Sequence, residues 1–90
     1  MCPEEKYVSE EELNDIEARL RRATAGPWRS FVEGRDHTSG SSFIMTGPDG
    51  RRGEDIELSG ATVADQDFIA ASRTDVEVLL SEVRRLRGLL

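Results

Sequence analysis

The stretch DQDFIAASRTDVEVLLSEVRRLR, Asp65 to Arg87, decides how this chain is read. Two helix-start signals bear on it. Thr62, just ahead of it, is placed to cap a short helix through Ser72, with Val63, Ala64, Phe68 and Ala71 on one side. Thr74-Asp75-Val76-Glu77 is a second capping box, a hydroxyl followed three residues later by a glutamate, and it predicts a second, longer helix. That helix carries Val76, Leu79, Leu80, Val83, Leu86 and Leu90 as its apolar positions. Leu79, Val83, Leu86 and Leu90 step by four, three and four, the spacing of a helix-packing seam, which leaves Val76 and Leu80 to face a sheet. Two apolar seams on one helix exceed what a small sheet covers. The surplus predicts a homo-oligomer, a dimer first, with Leu79, Val83, Leu86 and Leu90 at the interface.

Upstream, residues 1–8 read as a flexible polar lead-in and residues 9–90 as a single domain. Ser9 with Glu12 forms another capping box, acids fill the first turn, and Arg19, Arg21 and Arg22 fill the last. Leu13, Ile16 and Leu20 make one narrow apolar stripe, and Gly26-Pro27 ends the helix. From Trp28 the pattern changes. WRSFVEG reads as a strand, GRDHTSGSS as a loop, and SFIMTGPDGRRGEDIELSG as a hairpin turning at Pro48-Asp49-Gly50. The fold class is therefore α+β: an N-terminal helix, a three-stranded antiparallel sheet, then a short and a long C-terminal helix packed on one face.

A net charge of −6 opposes unspecific contact with nucleic acid or membrane, since polyanions are repelled. No apolar run is long enough to span a bilayer. Cys2 is the lone cysteine and has no internal disulfide partner, which fits a reducing cytoplasm. Of the twelve basic residues, eleven are arginine and only Lys6 is lysine. Arginine codon bias explains this; so does a need for forked donors that hold carboxylate or phosphate.

Few groups suggest chemistry. His37 is the only histidine, beside Asp36 and near Ser39, Ser41 and Ser42. Adjacency does not make a catalytic triad, and an exposed loop histidine is the plainer reading. Cys2 and His37 are too isolated to make a zinc site, and the acids Asp49, Glu54, Asp55 and Glu57 read as solubilising as readily as metal-binding. GPDGRRG lacks the lysine and helix of a phosphate loop, and Arg51-Arg52 reads as a soluble turn. No metal, cofactor or enzymatic activity is expected. The sharper candidate is Arg73 beside the helix start at Thr74, where free N–H groups would meet a small anion such as a nucleotide. Trp28 and Phe68 would line that pocket. In the competing reading Arg73 bonds carbonyls or nearby acids, and Trp28 belongs to the core.

ATAGPW (Ala23–Trp28) together with DFIAASRTDVEVLLSEVRRLR (Asp67–Arg87) resembles small proteins of actinobacteria and their phages and prophages, loosely termed Ea22-like. Ser72 stands where alanine is usual there, and Glu77 where proline is usual. The resemblance implies a phage accessory protein that acts by binding a host protein or sequestering a nucleotide. It brings no catalytic residues. From the residues themselves, the leading expectation is a non-enzymatic, cytoplasmic, homo-oligomeric interaction module; the alternative is an oligomer that captures a small anion.

Overall fold

A computed structural model describes residues 7–38 and 40–88 of the chain. Most of the lead-in, including Cys2 and Lys6, together with Ser39 and Leu90, lies outside the described residues. Helix α1 (Glu10–Arg22) begins as its sequence requires: Ser9 Oγ accepts from the Glu12 N–H at 3.0 Å, and Glu12 Oε1 accepts from the Ser9 N–H at 2.9 Å. It ends at Arg22, with Ala23 as C-cap, ahead of Gly26-Pro27, which is joined by a cis peptide bond.

Strands β1 (Arg29–Phe31) and β2 (Phe43–Met45) pair antiparallel, with Ser30 opposite Ile44. Among the described residues the expected third strand does not form. Ile56 makes one isolated antiparallel bridge to Ile44, exchanging backbone bonds of 2.8 and 2.9 Å. Side chains stop the ladder there. On the turn side, the Thr46 carbonyl takes the Gly53 N–H at 3.0 Å, and Thr46 Oγ1 donates to the Glu54 carbonyl at 2.9 Å, so a hydroxyl replaces the next rung. On the other side, Ser42 Oγ accepts from the Glu33 N–H instead of extending the pairing. Gly53 is required at this junction, because a Cβ there would come within 2.7 Å of Thr46 Oγ1 and 2.8 Å of Thr24 Cγ2.

The second correction concerns the C-terminal half. Thr62 does cap a helix, with Asp65 as its box partner, but that helix does not stop at Ser72. Helix α2 (Val63–Leu86) is one continuous rod of 24 residues, about 36 Å long. No glycine or proline interrupts Ser72 to Glu77. Ser72 is accommodated by donating its hydroxyl to the Ile69 carbonyl at 2.7 Å, and Arg73 reaches Glu77 one turn on. The second capping-box pattern is therefore present in sequence and unused in structure.

One rod serves two layers. Its first half packs on β1, where buried Gln66 donates from Nε2 to Ser30 Oγ (2.9 Å), the Phe43 carbonyl (3.2 Å) and the Phe31 carbonyl (3.3 Å). Its second half packs on α1. Arg84 bonds Glu17 and Asn14, Arg73 bonds the Thr24 carbonyl, and Arg87 bonds the Val8 carbonyl. Late positions of α2 thus meet early positions of α1, and the two helices run antiparallel. Among the described residues the buried apolar side chains are Leu13, Val32, Ile44, Ala70 and Leu80. The α+β class holds, with two helices and two strands among the described residues.

Candidate functional site: an apolar groove along the helix pair

Two helices side by side leave a trough on each face. On one face that trough is apolar and open, with a volume of about 580 Å³. From α1 it is lined by Leu13, Ile16 and Leu20, and from α2 by Val76, Leu79, Leu80 and Val83, with Trp28 alongside. Trp28 is half-buried and held by its indole N–H, which donates to the Thr24 carbonyl at 3.0 Å. Leu79 is 61% exposed and Leu86 69% exposed. At 100° per residue, Phe68, Leu79 and Leu86 fall within about 20° of one line along α2, extending the groove's outer wall for about 27 Å. Phe68 is 73% exposed, so this line faces solvent along its whole length.

The interface positions expected from sequence are thus brought together. Leu79 and Val83 line the groove, Leu86 continues its wall, and Leu90 lies outside the described residues. The anion pocket is not assembled as expected. Thr74 sits inside α2, where the N–H groups that would have faced a ligand belong to the helical ladder. Arg73 is half-buried and committed: its Nε donates to the Thr24 carbonyl at 3.1 Å, and Nη1 meets Glu77 at 3.3 Å. Gly26 makes room for it, since a Cβ there would approach Arg73 Cγ to 3.3 Å. Phe68 is five residues earlier, about 140° around the helix from Arg73. Arg73 and Trp28 line the groove together, whereas Phe68 lies on the outer line of α2 beyond its lining.

The opposite trough is polar, about 330 Å³, and brings Arg21, Arg73 and Arg84 together with Glu17 and Glu77. Glu17 accepts from Arg21 at 2.6 Å and from Arg84 at 2.8 Å, and those two guanidinium groups hold its carboxyl below its usual range. A third cluster organises the loop read as irregular. Asp36 accepts from the Val32 N–H at 2.8 Å, and Arg35 bridges Asp36 to Asp67 on α2. Arg35 holds both carboxyls below their usual range, and the Val32 N–H and Ser30 hydroxyl add to this at Asp36 and Asp67 respectively. His37 in that loop is half-buried, its ring 5.4 Å from the ring of Phe43. Sequence reasoning missed this tie. Its one local signal was Asp36 close behind Gly34, a pair suited to a side-chain-capped turn (Gly34 has φ +89°).

Among the described residues no group of three or more His, Cys, Asp or Glu is arranged to hold a metal ion, and no helix is long and apolar enough to cross a membrane. Comparison with known proteins returns no matching family model, no similar curated protein and no similar solved structure. Function is therefore read from the groove itself.

Proposed function

We propose that the chain works by contact rather than catalysis, as a homodimeric protein-interaction module whose two copies close the α1–α2 groove. The observation that carries this reading is the exposed line of Phe68, Leu79 and Leu86 beside an apolar trough. Water on such a face costs about 25 cal/mol per Å² that a second copy would recover. The dimensions agree. The chain measures 47 × 34 × 18 Å with a radius of gyration of 16.1 Å, where a compact chain of this length has about 12 Å. It exposes 6448 Å², against about 5,200 Å² for a compact monomer of its mass. The groove face, about 27 Å by 20 Å in projection, offers about 540 Å² per partner, the size of a weak or transient interface.

The titratable groups support a non-catalytic role. Glu17, Asp36, Asp67 and Glu82 are held charged by arginines, whereas acid–base catalysis calls for a group poised near neutral pH. The resemblance at Ala23–Trp28 and Asp67–Arg87 supports reading this module as a cytoplasmic phage or prophage accessory protein with a host protein as its further partner.

The test is mass by sedimentation. Leu79→Glu with Leu86→Glu should convert a dimer to a folded monomer, because both side chains are exposed within one copy and glutamate suits a helix about as well as leucine. A wild-type chain that stays monomeric at high micromolar concentration would overturn the reading. Capture of a small anion is the second reading, moved to the polar trough by the convergence of Arg21, Arg73 and Arg84. It is the weaker one, since Glu17 and Glu77 already occupy those guanidinium groups. A calorimetric titration with cyclic and linear nucleotides that yields no heat removes it.

A further inference from the structure

The charges inside the apolar trough are all of one sign. The chain carries 18 acidic residues against 12 basic ones, yet no carboxylate lines this trough. Its charged lining residues are Arg19 and Arg73. The polar trough on the opposite face is built the other way, with Glu17 and Glu77 set among its arginines. Asp75 and Glu82, on the same stretch of α2, stand outside the apolar lining, and Glu82 is held by Arg85 at 2.5 Å.

Both guanidinium groups stand toward one end. Arg19 belongs to the last turn of α1, and Arg73 reaches the Thr24 carbonyl just beyond that turn, where the Trp28 indole also bonds. The Arg73 side chain is 11% exposed, and its Nη2 bonds no described residue. The Arg19 guanidinium has no partner among the described residues. From there the apolar lining runs to Leu13, Val83 and Val8. Val83 follows Arg73 by ten residues of helix, about 15 Å, the extended length of a dodecyl chain. A volume of about 580 Å³, mostly apolar walls and a few placed polar groups between two helices are the marks of a small-molecule site.

We infer that the trough binds a single-chain anionic amphiphile of the fatty-acid class. Its carboxylate lies on Arg19, with Arg73 beside it at the Trp28 end, and its chain runs along Leu20, Leu80 and Val83. The chain supplies affinity by leaving water, and the forked cation supplies the choice of sign. This binding goes beyond the dimer and does not depend on it, since one copy holds the whole trough.

Trp28 is the chain's one tryptophan and reports on the site directly. Dodecanoate, kept below its micelle concentration, should shift Trp28 fluorescence saturably at one per chain, with circular dichroism unchanged. Hexanoate should bind more weakly by about a hundredfold. Arg19→Glu should weaken dodecanoate by about tenfold, and the exposed Arg19 has no side-chain partner in the fold to lose. No saturable shift, equal affinity for dodecyltrimethylammonium, or unchanged affinity in Arg19→Glu overturns the inference. Co-sedimentation with phosphatidylglycerol vesicles and no binding of dodecanoate would assign the arginines to a lipid surface and overturn it as well. Sedimentation without ligand reads the dimer separately. A monomer that binds dodecanoate overturns the dimer alone, and a dimer that does not bind it overturns this inference alone.

Discussion

Gln66 is the polar residue most deeply tied into the fold. It is buried, and its amide N–H groups serve the carbonyls of both strands as well as Ser30. Gln66→Leu fills similar volume but leaves the Phe31 and Phe43 carbonyls without that donor. The expected loss is about 1–3 kcal/mol in denaturant unfolding, more than most surface substitutions cost. The ion pairs act differently. Glu17, Asp36 and Asp67 have folded pKa values below their ordinary ones, with arginine the leading cause in each. Their contribution is present above the ordinary carboxylate range, about pH 4, and is lost as pH falls through the depressed folded values. Thermal midpoints should therefore decline with acid from about pH 4 downward. Asp67→Asn should flatten that decline; an unchanged acid slope would show that the Arg35 bridge does not couple to folding.

At the scale of elements, the caps were legible and the breaks were not. Ser9 and Thr62 start helices as their side chains demand, because an N-cap bond needs only residues three apart. Thr74 offers the same pattern, yet stopping a helix needs something that forbids continuation, and Ser72 and Arg73 supply nothing of the kind. Tertiary contacts at Thr24, Gly26 and Glu17 reward one straight rod, and such contacts over fifty residues are invisible to local pattern. The third strand failed for a related reason: the hairpin reading of SFIMTGPDGRRGEDIELSG rested on local pattern, but the Thr46 and Ser42 hydroxyls that end the ladder compete through space. Alanine substitution separates the two roles of threonine. Thr62→Ala should cost about 1 kcal/mol as a lost cap, whereas Thr74→Ala should gain about 0.5 kcal/mol as a better interior helix former. A loss of similar size at both positions would indicate a helix that starts again at Thr74.

For the whole molecule, the shared side of Leu79, Val83 and Leu86 on α2 was readable from spacing, but Val76 and Leu80, expected to face a sheet, line the same groove, opposite Ile16, Leu20 and Trp28. The anion pocket was misread because it depended on a helix end that does not exist. A slab 18 Å thick with few buried side chains draws little stability from its own interior. In the proposed dimer association adds to stability by mass action, so the melting temperature should rise with protein concentration in the wild type. In the Leu79→Glu, Leu86→Glu variant it should not. Equal concentration dependence in both would move the interface elsewhere.

The continuity of α2 also makes it a lever. Leu86 stands near one end, beside the groove, and Gln66 lies twenty residues away, about 30 Å along the axis, gripping the strand ends. Each degree of tilt about the far end displaces Gln66 by about 0.5 Å. Hydrogen bonds of 3.2 and 3.3 Å tolerate little of that before their geometry fails. A tilt of α2 at the groove end would therefore be felt first in these bonds, at the opposite end of the rod.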